Sequence, residues 1–271
     1  MTSVQHQILR YIVLIILSIF PLIAILILYL IEPLHRNFSI YDISIAHEYK
    51  NDTVSNPLVN GLTFGSSLLF AAVYCIFSPA KCQSILSCIM SLFFGFGITK
   101  SFTQLLKITV GRLRPDFLQR CKPDQEDVRM HSIEDMRIFG QLLSHDFKCT
   151  GDAQIVKEGH MSFPSGHASS ISYAFAFCSF LAFFWCYRYI QQKKQTGMSR
   201  IFLLMICLTL SQTLILIALY TSSSRVSDNR HNISDVIFGF IIGVIGGIIS
   251  GLIIWIFECI EKWEESDEQV I

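Results

Sequence analysis

Ser224-Arg-Val-Ser-Asp-Asn-Arg-His231-Asn-Ile-Ser-Asp235 runs directly into VIFGFIIGVIGGIISGLIIWIF, residues 236–257. The second half is 22 residues without a charge. A helix rising ~1.5 Å per residue needs about 20 apolar residues to cross a hydrocarbon core of ~30 Å. Lipid offers no partner to backbone N–H and C=O groups, so Val236–Phe257 is read as a membrane-spanning helix. The first half sets an imidazole and a carboxylate four residues apart, with Arg225 nearby, at the mouth of that span. Polar residues at such a place call for a reason.

Five further stretches meet or approach the same length: Tyr11–Ile31, Gly61–Phe77, Cys82–Thr99 continuing past Lys100 toward Lys107, Ala168–Tyr187 and Ile201–Ser223. The fold class expected is all-α, a polytopic bundle of six transmembrane helices forming one domain over residues 1–271. Composition agrees, with 52% hydrophobic residues, 22 Phe and only 15% charged residues, where a soluble domain carries roughly 25%. Tyr11–Ile31 exceeds an ordinary signal-peptide core and no small-residue cleavage site follows it, so it is kept as a span. Gly61–Phe77 is the shortest, and without it the termini would lie on opposite sides.

The 21 basic and 21 acidic side chains cancel, which argues against an electrostatic nucleic-acid binder. Their placement sets the orientation. Arg188, Lys193, Lys194 and Arg200 crowd the connection between spans four and five without an acid, which assigns that connection to the cytoplasm. Both termini are then cytoplasmic, and residues 32–60, 108–167 and 224–235 share the opposite side. Two sequons, Asn37-Phe-Ser and Asn51-Asp-Thr, fall on that non-cytoplasmic side, consistent with a lumenal or extracellular face and a glycoprotein. A third, Asn232-Ile-Ser, abuts a span and is expected to stay unused. Five of the nine Cys sit in apolar stretches as small hydrophobes. Cys121 and Cys149, alone in the long outer loop, are compatible with a bridge or with two free thiols. The C-terminal Glu-Gln-Val-Ile shows no retrieval signal, so plasma membrane, endoplasmic reticulum and Golgi all stay open.

Three polar clusters mark the outer ends of spans three, four and six. In Lys107-Ile-Thr-Val-Gly-Arg-Leu-Arg114-Pro115, seven residues make two turns, so Lys107 and Arg114 share a face if the helix continues through Gly111. Alone, they also fit a pair of snorkelling headgroup anchors. Pro164-Ser165-Gly166-His167 opens span four. A helix start offers free N–H groups and the positive end of the dipole, Ser165 is a normal N-cap, and Gly166 permits close approach of a ligand. In the third cluster Asp235 can accept from one nitrogen of His231 and leave the other free for attack or proton transfer. Together the clusters amount to two or three fixed positive charges, a helix N-terminus and two imidazoles, a set suited to a tetrahedral phosphate. No carboxylate cluster suits Mg²⁺, so no metal or other cofactor is expected, and the basic side chains carry the transition-state charge.

Lys107-x6-Arg114-Pro115, Pro164-Ser165-Gly166-His167 and Ser224-Arg225-x5-His231-x3-Asp235 resemble, in order and spacing, the three-part signature of the type 2 phosphatidic acid phosphatase superfamily. The surrounding Gly-Arg-Leu-Arg-Pro, Ser-Gly-His-Ala-Ser and Ser-Arg-Val-Ser-Asp look most like its lipid phosphate phosphatase branch. The resemblance implies His231 as nucleophile, forming a phospho-histidine with Asp235 orienting it. It implies His167 as the acid for the leaving alkoxide and then the base for water. Lys107, Arg114, Ser165, Gly166 and Arg225 would hold the phosphate. The substrates implied are lipid phosphates in the bilayer: phosphatidate, lysophosphatidate, sphingosine 1-phosphate and ceramide 1-phosphate. Competing readings are a phosphatase for a soluble or isoprenoid (di)phosphate and a catalytically silent membrane scaffold. The long outer loop, unlike that of many vertebrate members of the branch, holds no sequon between Arg114 and Pro164.

Gly239, Gly243, Gly247 and Gly251 recur every four residues in the last span and form a flat stripe. It can pack another span of the same chain or support a homo-oligomer. Cys259 just beyond the span is either a palmitoylation site or a plain thiol, and the acidic stretch Glu258–Glu268 reads as a solvated cytoplasmic end.

Overall fold

The computed structural model describes residues 3–77, 83–193 and 197–268. The expected start of span three at Cys82, Lys194 of the basic connection and the terminal residues 269–271 lie outside them. The described chain is almost wholly helical: α1 Ser3–Leu30, α2 Asn56–Phe77, α3 Gln83–Val110, α4 Phe117–Cys121, α5 Gln125–Ile138, α6 Ala153–Gly159, α7 Gly166–Gln192, α8 Met198–Ser227 and α9 Ile233–Glu268. Among the described residues extended pairing is limited to two isolated bridges, Phe38 with His145 and Pro123 with Cys149. Five helices, α2, α3, α7, α8 and α9, are long and apolar enough to cross a membrane, while the apolar part of α1 counted among described residues is the shorter Ile15–Leu30. The chain is an integral membrane protein.

Helix α7 is the hub. In its most apolar window 67% of the residues are buried, against 22–44% in the other four, because α2, α3, α8 and α9 all pack on it. Helix α1 packs on α3. A Cβ added at Gly97 would stand 2.8 Å from Cβ of Pro21, and Ser101 donates to the Pro21 carbonyl at 2.9 Å. The core lies between α2, α3, α7 and α9, around Tyr74, Cys88, Leu92, Phe177, Leu181 and Ile254.

The glycine stripe of α9 is filled from within the chain. A Cβ at Gly239 would meet the Ser165 carbonyl oxygen at 2.4 Å, at Gly243 Oγ of Ser172 at 2.0 Å, at Gly247 the Tyr173 carbonyl oxygen at 2.5 Å, and at Gly251 the Phe180 ring at 2.3 Å. The neighbours are Ser165, the N-cap of α7, and residues of α7 itself, so the stripe packs another span of the same chain, one of the two readings the sequence allowed. Hydroxyls secure the contact: Ser172 donates to the Phe240 carbonyl at 3.0 Å, and Tyr173 donates to the Leu92 carbonyl at 2.7 Å and pairs with Ser250 at 3.1 Å. At the far end Arg188 of α7 pairs with Glu258 of α9 at 3.2 Å, and Tyr74 of α2 donates to the same carboxylate.

A correction concerns α3. It does not continue through Gly111. It stops at Val110, and Gly111 takes φ +58°, the left-handed stop that glycine supplies without a Cβ penalty. A Cβ there would also lie 2.1 Å from the Leu34 carbonyl oxygen. The chain beyond it is more than a loop. Helices α4, α5 and α6 and the segment 38–45 enclose a small core of Phe38, Ile45, Phe117, Cys121 and Phe147, and Cys121 is bridged to Cys149. The segments before α2, between α3 and α7, and between α8 and α9 meet at one end of the bundle. There His47 N–H donates to the Pro115 carbonyl at 2.9 Å, and Thr53 N–H and Oγ1 donate to Asp228 at 2.9 and 2.5 Å.

Candidate active site

Three chain segments distant in sequence are joined here by backbone hydrogen bonds. Ser162 N–H donates to the Arg112 carbonyl at 2.9 Å, Arg114 N–H to the Gly159 carbonyl at 2.9 Å, and Ser165 N–H to the Asp235 carbonyl at 2.9 Å. They tie the end of α3 to the approach to α7, and the start of α7 to the start of α9. The result is a cavity of about 310 Å³ whose lining includes Lys107, Arg114, Gly166, His167, Arg225 and His231. Ser165 lies just behind it, fully buried, with its Oγ accepting from Ala168 N–H at 3.4 Å as the N-cap of α7.

His231 is buried, and its Nδ1 lies 2.7 Å from the Ser162 carbonyl oxygen. A carbonyl only accepts, so Nδ1 carries the proton and Nε2 keeps its lone pair. Burial, reinforced by the charges of Arg114, Lys107 and Arg225, holds this imidazole well below its ordinary 6.5; it is neutral at neutral pH. Asp235 does not perform the bond expected of it, since its Oδ2 is 3.9 Å from Nδ1. Fully buried, it takes Arg112 Nη1 at 2.8 Å, Ser162 Oγ at 2.6 Å and the Asn232 N–H at 2.9 Å. The last contact closes the first turn of α9 as the return bond of a capping box does. Its effect on His231 therefore passes through Ser162, whose hydroxyl it holds while the Ser162 carbonyl holds the ring.

His167 stands in the first turn of α7 with Nε2 3.2 Å from the Val54 carbonyl oxygen, which also accepts from Arg225 Nη1 at 3.4 Å. One backbone oxygen thus positions both groups and leaves Nδ1 of His167 uncommitted to it. Lys107 donates from Nζ to the Met161 carbonyl at 2.8 Å, and its Cε would be 3.7 Å from a Cβ at Gly166. Among the described residues no other atom from outside its own stretch of helix comes within 4 Å of that position, so the missing side chain leaves room on the cavity side. Arg114 and Arg225 each retain a buried Nε–H without an acceptor among the described residues, a state that costs roughly 1–3 kcal/mol per donor and that an oxyanion relieves.

Arg225 is held in a charge lattice that sequence reading did not find. Its guanidinium pairs with Asp52 at 2.9 Å and with Asp228 at 3.2 Å. Asp52 also takes Arg230 at 2.8 Å, and Arg230 reaches on to Asp116 at 3.2 Å, where Arg120 is paired at 2.8 Å. Burial would raise the Asp52 carboxyl, but hydrogen bonds and charge from Arg225 and Arg230 hold it below its usual range. Tyr49 lies under Arg230, 4.2 Å from ring centre to guanidinium carbon.

The match of residues 88–259 to the PAP2 superfamily decides the family. The chain belongs to the PAP2 superfamily. It is similar to phospholipid phosphatase 1 of Rattus norvegicus, 29% identical over 224 residues that cover 78% of this chain and 72% of that protein. It is likewise similar to phospholipid phosphatase 2 of Homo sapiens, 29% identical over 223 residues covering 78% and 70%. No solved structure matches. These relatives support the lipid phosphate phosphatase branch of the superfamily, and with it a membrane phosphatase.

Within this PAP2 chain, sequence reading missed Arg112, Ser162, Asp52 and Arg230. Arg112 sits in the same Gly-Arg-Leu-Arg-Pro run as Arg114, but it turns to Asp235 and to Ser234 Oγ at 2.6 Å, a direction only the break at Gly111 provides. Ser162 acts on His231 through a backbone oxygen, which leaves no mark in the residue type.

Proposed function

We propose that the chain hydrolyses lipid phosphate monoesters at this cavity through a phospho-histidine on His231. The observation that carries the reading is the convergence of Lys107, Arg114, the start of α7, His167, Arg225 and His231 on one cavity. Phosphate oxygens lie among Lys107, Arg114, Arg225 and the Gly166 N–H, where fixed positive groups stabilise the charge of the transferring phosphoryl group. The Nε2 lone pair of His231 forms the N–P bond as the P–O bond to the lipid breaks. With the negative charge of the bound phosphate offsetting the cations around it, His167 is protonated and gives its Nδ1 proton to the departing alkoxide, then takes a proton from water as that water cleaves the N–P bond. The cations of the cavity are side chains of the protein, and turnover is expected without a divalent metal. The names of the relatives, phospholipid phosphatases, support a lipid substrate, with phosphatidate, lysophosphatidate, sphingosine 1-phosphate and ceramide 1-phosphate as candidates.

The same reading has α1 as a sixth span, both termini cytoplasmic and the cavity at the lumenal or extracellular rim of the bilayer. A headgroup enters there while its acyl chains stay in the leaflet. Phosphate release from lysophosphatidate, sphingosine 1-phosphate, glucose 6-phosphate and a prenyl diphosphate, compared in one detergent preparation with added chelator, tests it. Release from the two lipid monoesters by the wild type and not by His231→Ala is the expected result. Preference for the soluble ester, or undiminished release by His231→Ala, would overturn it.

A further inference from the structure

The cavity lining also includes Asn60 of α2, Lys100 and Gln104 of α3, and Ser170 of α7, each about one turn or more inside the helix ends that carry the phosphate-binding groups. Lys100 is seven residues before Lys107, two turns and ~10 Å further into the bundle along α3, and Ser170 is one turn beyond Gly166. A lipid whose phosphate rests at Lys107 and Gly166 and whose acyl chains lie toward the bilayer interior draws its linkage past these residues. The Lys100 ammonium has no carboxylate partner among the described residues; Nζ lies 3.5 Å from the Gly166 carbonyl oxygen and 5.6 Å from the Phe96 ring centre. The acids lining the cavity are engaged elsewhere, Asp52 by Arg225 and Arg230 and Glu158 by Arg120 at 3.7 Å.

Resting on the lipid-phosphate reading, we infer that Lys100, with Gln104 and Asn60, forms a linkage-reading subsite that selects phosphate lipids carrying hydrogen-bond acceptors next to the phosphate. An ester or amide carbonyl accepts from the ammonium and the amides. A free protonated amine two carbons from the phosphate oxygen, as in sphingosine 1-phosphate, meets a like charge without a counter-ion, which costs binding and turnover.

The test is kcat/KM on phosphatidate and on sphingosine 1-phosphate, with the full chain in the same mixed micelles. Wild type favours phosphatidate; Lys100→Gln shifts the ratio toward the amine lipid by about tenfold, and Lys100→Arg keeps the wild-type ratio. On the unaltered protein, N-acetylated sphingosine 1-phosphate is cleaved faster than sphingosine 1-phosphate itself, because the amine charge is gone. An unchanged ratio in Lys100→Gln, or equal cleavage of the acetylated and free amines by the wild type, overturns the subsite while the phosphatase reading stands. So does a loss in Lys100→Gln confined to a diphosphate ester, which would assign the ammonium to a second phosphate. Release from none of the lipids by wild type overturns both.

Discussion

The Ser162 carbonyl oxygen lies 2.7 Å from Nδ1 of His231, while Asp235 comes no closer to that nitrogen than 3.9 Å. The imidazole is held by the backbone carbonyl of Ser162, and the carboxylate holds the hydroxyl of the same residue. Asp235→Asn therefore loosens the support without removing the bond to His231. Its kcat is expected to fall about tenfold to a hundredfold and to stay above the background left by His231→Ala. Steady-state phosphate release measures both; an Asp235→Asn variant as inactive as His231→Ala would mean a direct bond forms in the working enzyme.

His160 is buried against Phe117 and His35, with ring centres 4.7 and 4.4 Å away. Burial, with the charge of His35 adding, pushes it down to about 4 from 6.5. The unfolded chain takes up this proton near pH 6.5 and the folded chain only near 4. The stabilisation is thus complete above pH 6.5 and is lost as the pH falls from 6.5 toward 4. Thermal unfolding followed from pH 7.5 to 4.5 should show a decline in Tm over that window, flatter in His160→Phe. Equal slopes for the two proteins would contradict it.

Gly247→Ala and Gly65→Ala separate helix packing from helix propensity. A Cβ at Gly247 would lie 2.5 Å from the Tyr173 carbonyl oxygen, whereas at Gly65 nothing outside its own stretch of helix lies within 4 Å among the described residues. Gly247→Ala should lower the yield of folded protein and its Tm, because α7 and α9 must separate. Gly65→Ala should be neutral or slightly stabilising. A Gly247→Ala variant as stable as wild type would show that the close approach of the two helices is not real.

The bridge between Cys121 and Cys149 spans 28 residues of sequence, and a loop of that length adds roughly 3–4 kcal/mol by chain entropy. Its removal acts on the small core of Phe38, Phe117 and Phe147 and leaves the bundle helices in place. Cys121→Ser with Cys149→Ser should raise protease sensitivity within residues 111–165 before any loss of the transmembrane core, as read by limited proteolysis and mass spectrometry. Cleavage as slow as in the wild type would argue against the bridge as a stabilising link.

The bundle was legible because uncharged runs of about 20 residues leave few alternatives in lipid. The bounds were less so: α2 begins at Asn56, five residues before the apolar run at Gly61, since Asn56 and Asn60 face the cavity instead of lipid. Lys107, Arg114, His167, Arg225 and His231 could be read as one cluster because charge at span ends is costly and so carries information. The break at Gly111 was open to the opposite reading, as a glycine is compatible with both a continuing helix and a left-handed stop. The stripe from Gly239 to Gly251 announced a close neighbour but could not name it, for α7 and a second copy make the same demand on small residues. Asp52 lies far from Arg225 and Arg230 in sequence, and no spacing rule connects the segment before α2 to the end of α8 and the turn that follows it.

The most direct test is to trap the phosphoryl group. Full-length protein mixed with lysophosphatidate radiolabelled in its phosphate, then denatured in alkaline detergent within the first turnover, should carry acid-labile, base-stable label on the peptide containing His231. The label should be absent in His231→Ala; with labelled p-nitrophenyl phosphate, whose leaving group needs no acid, it should accumulate in His167→Ala, which still forms the N–P bond but hydrolyses it slowly. Label on another residue, or lipid hydrolysis at an ordinary rate by His231→Ala, would contradict the assignment of the nucleophile.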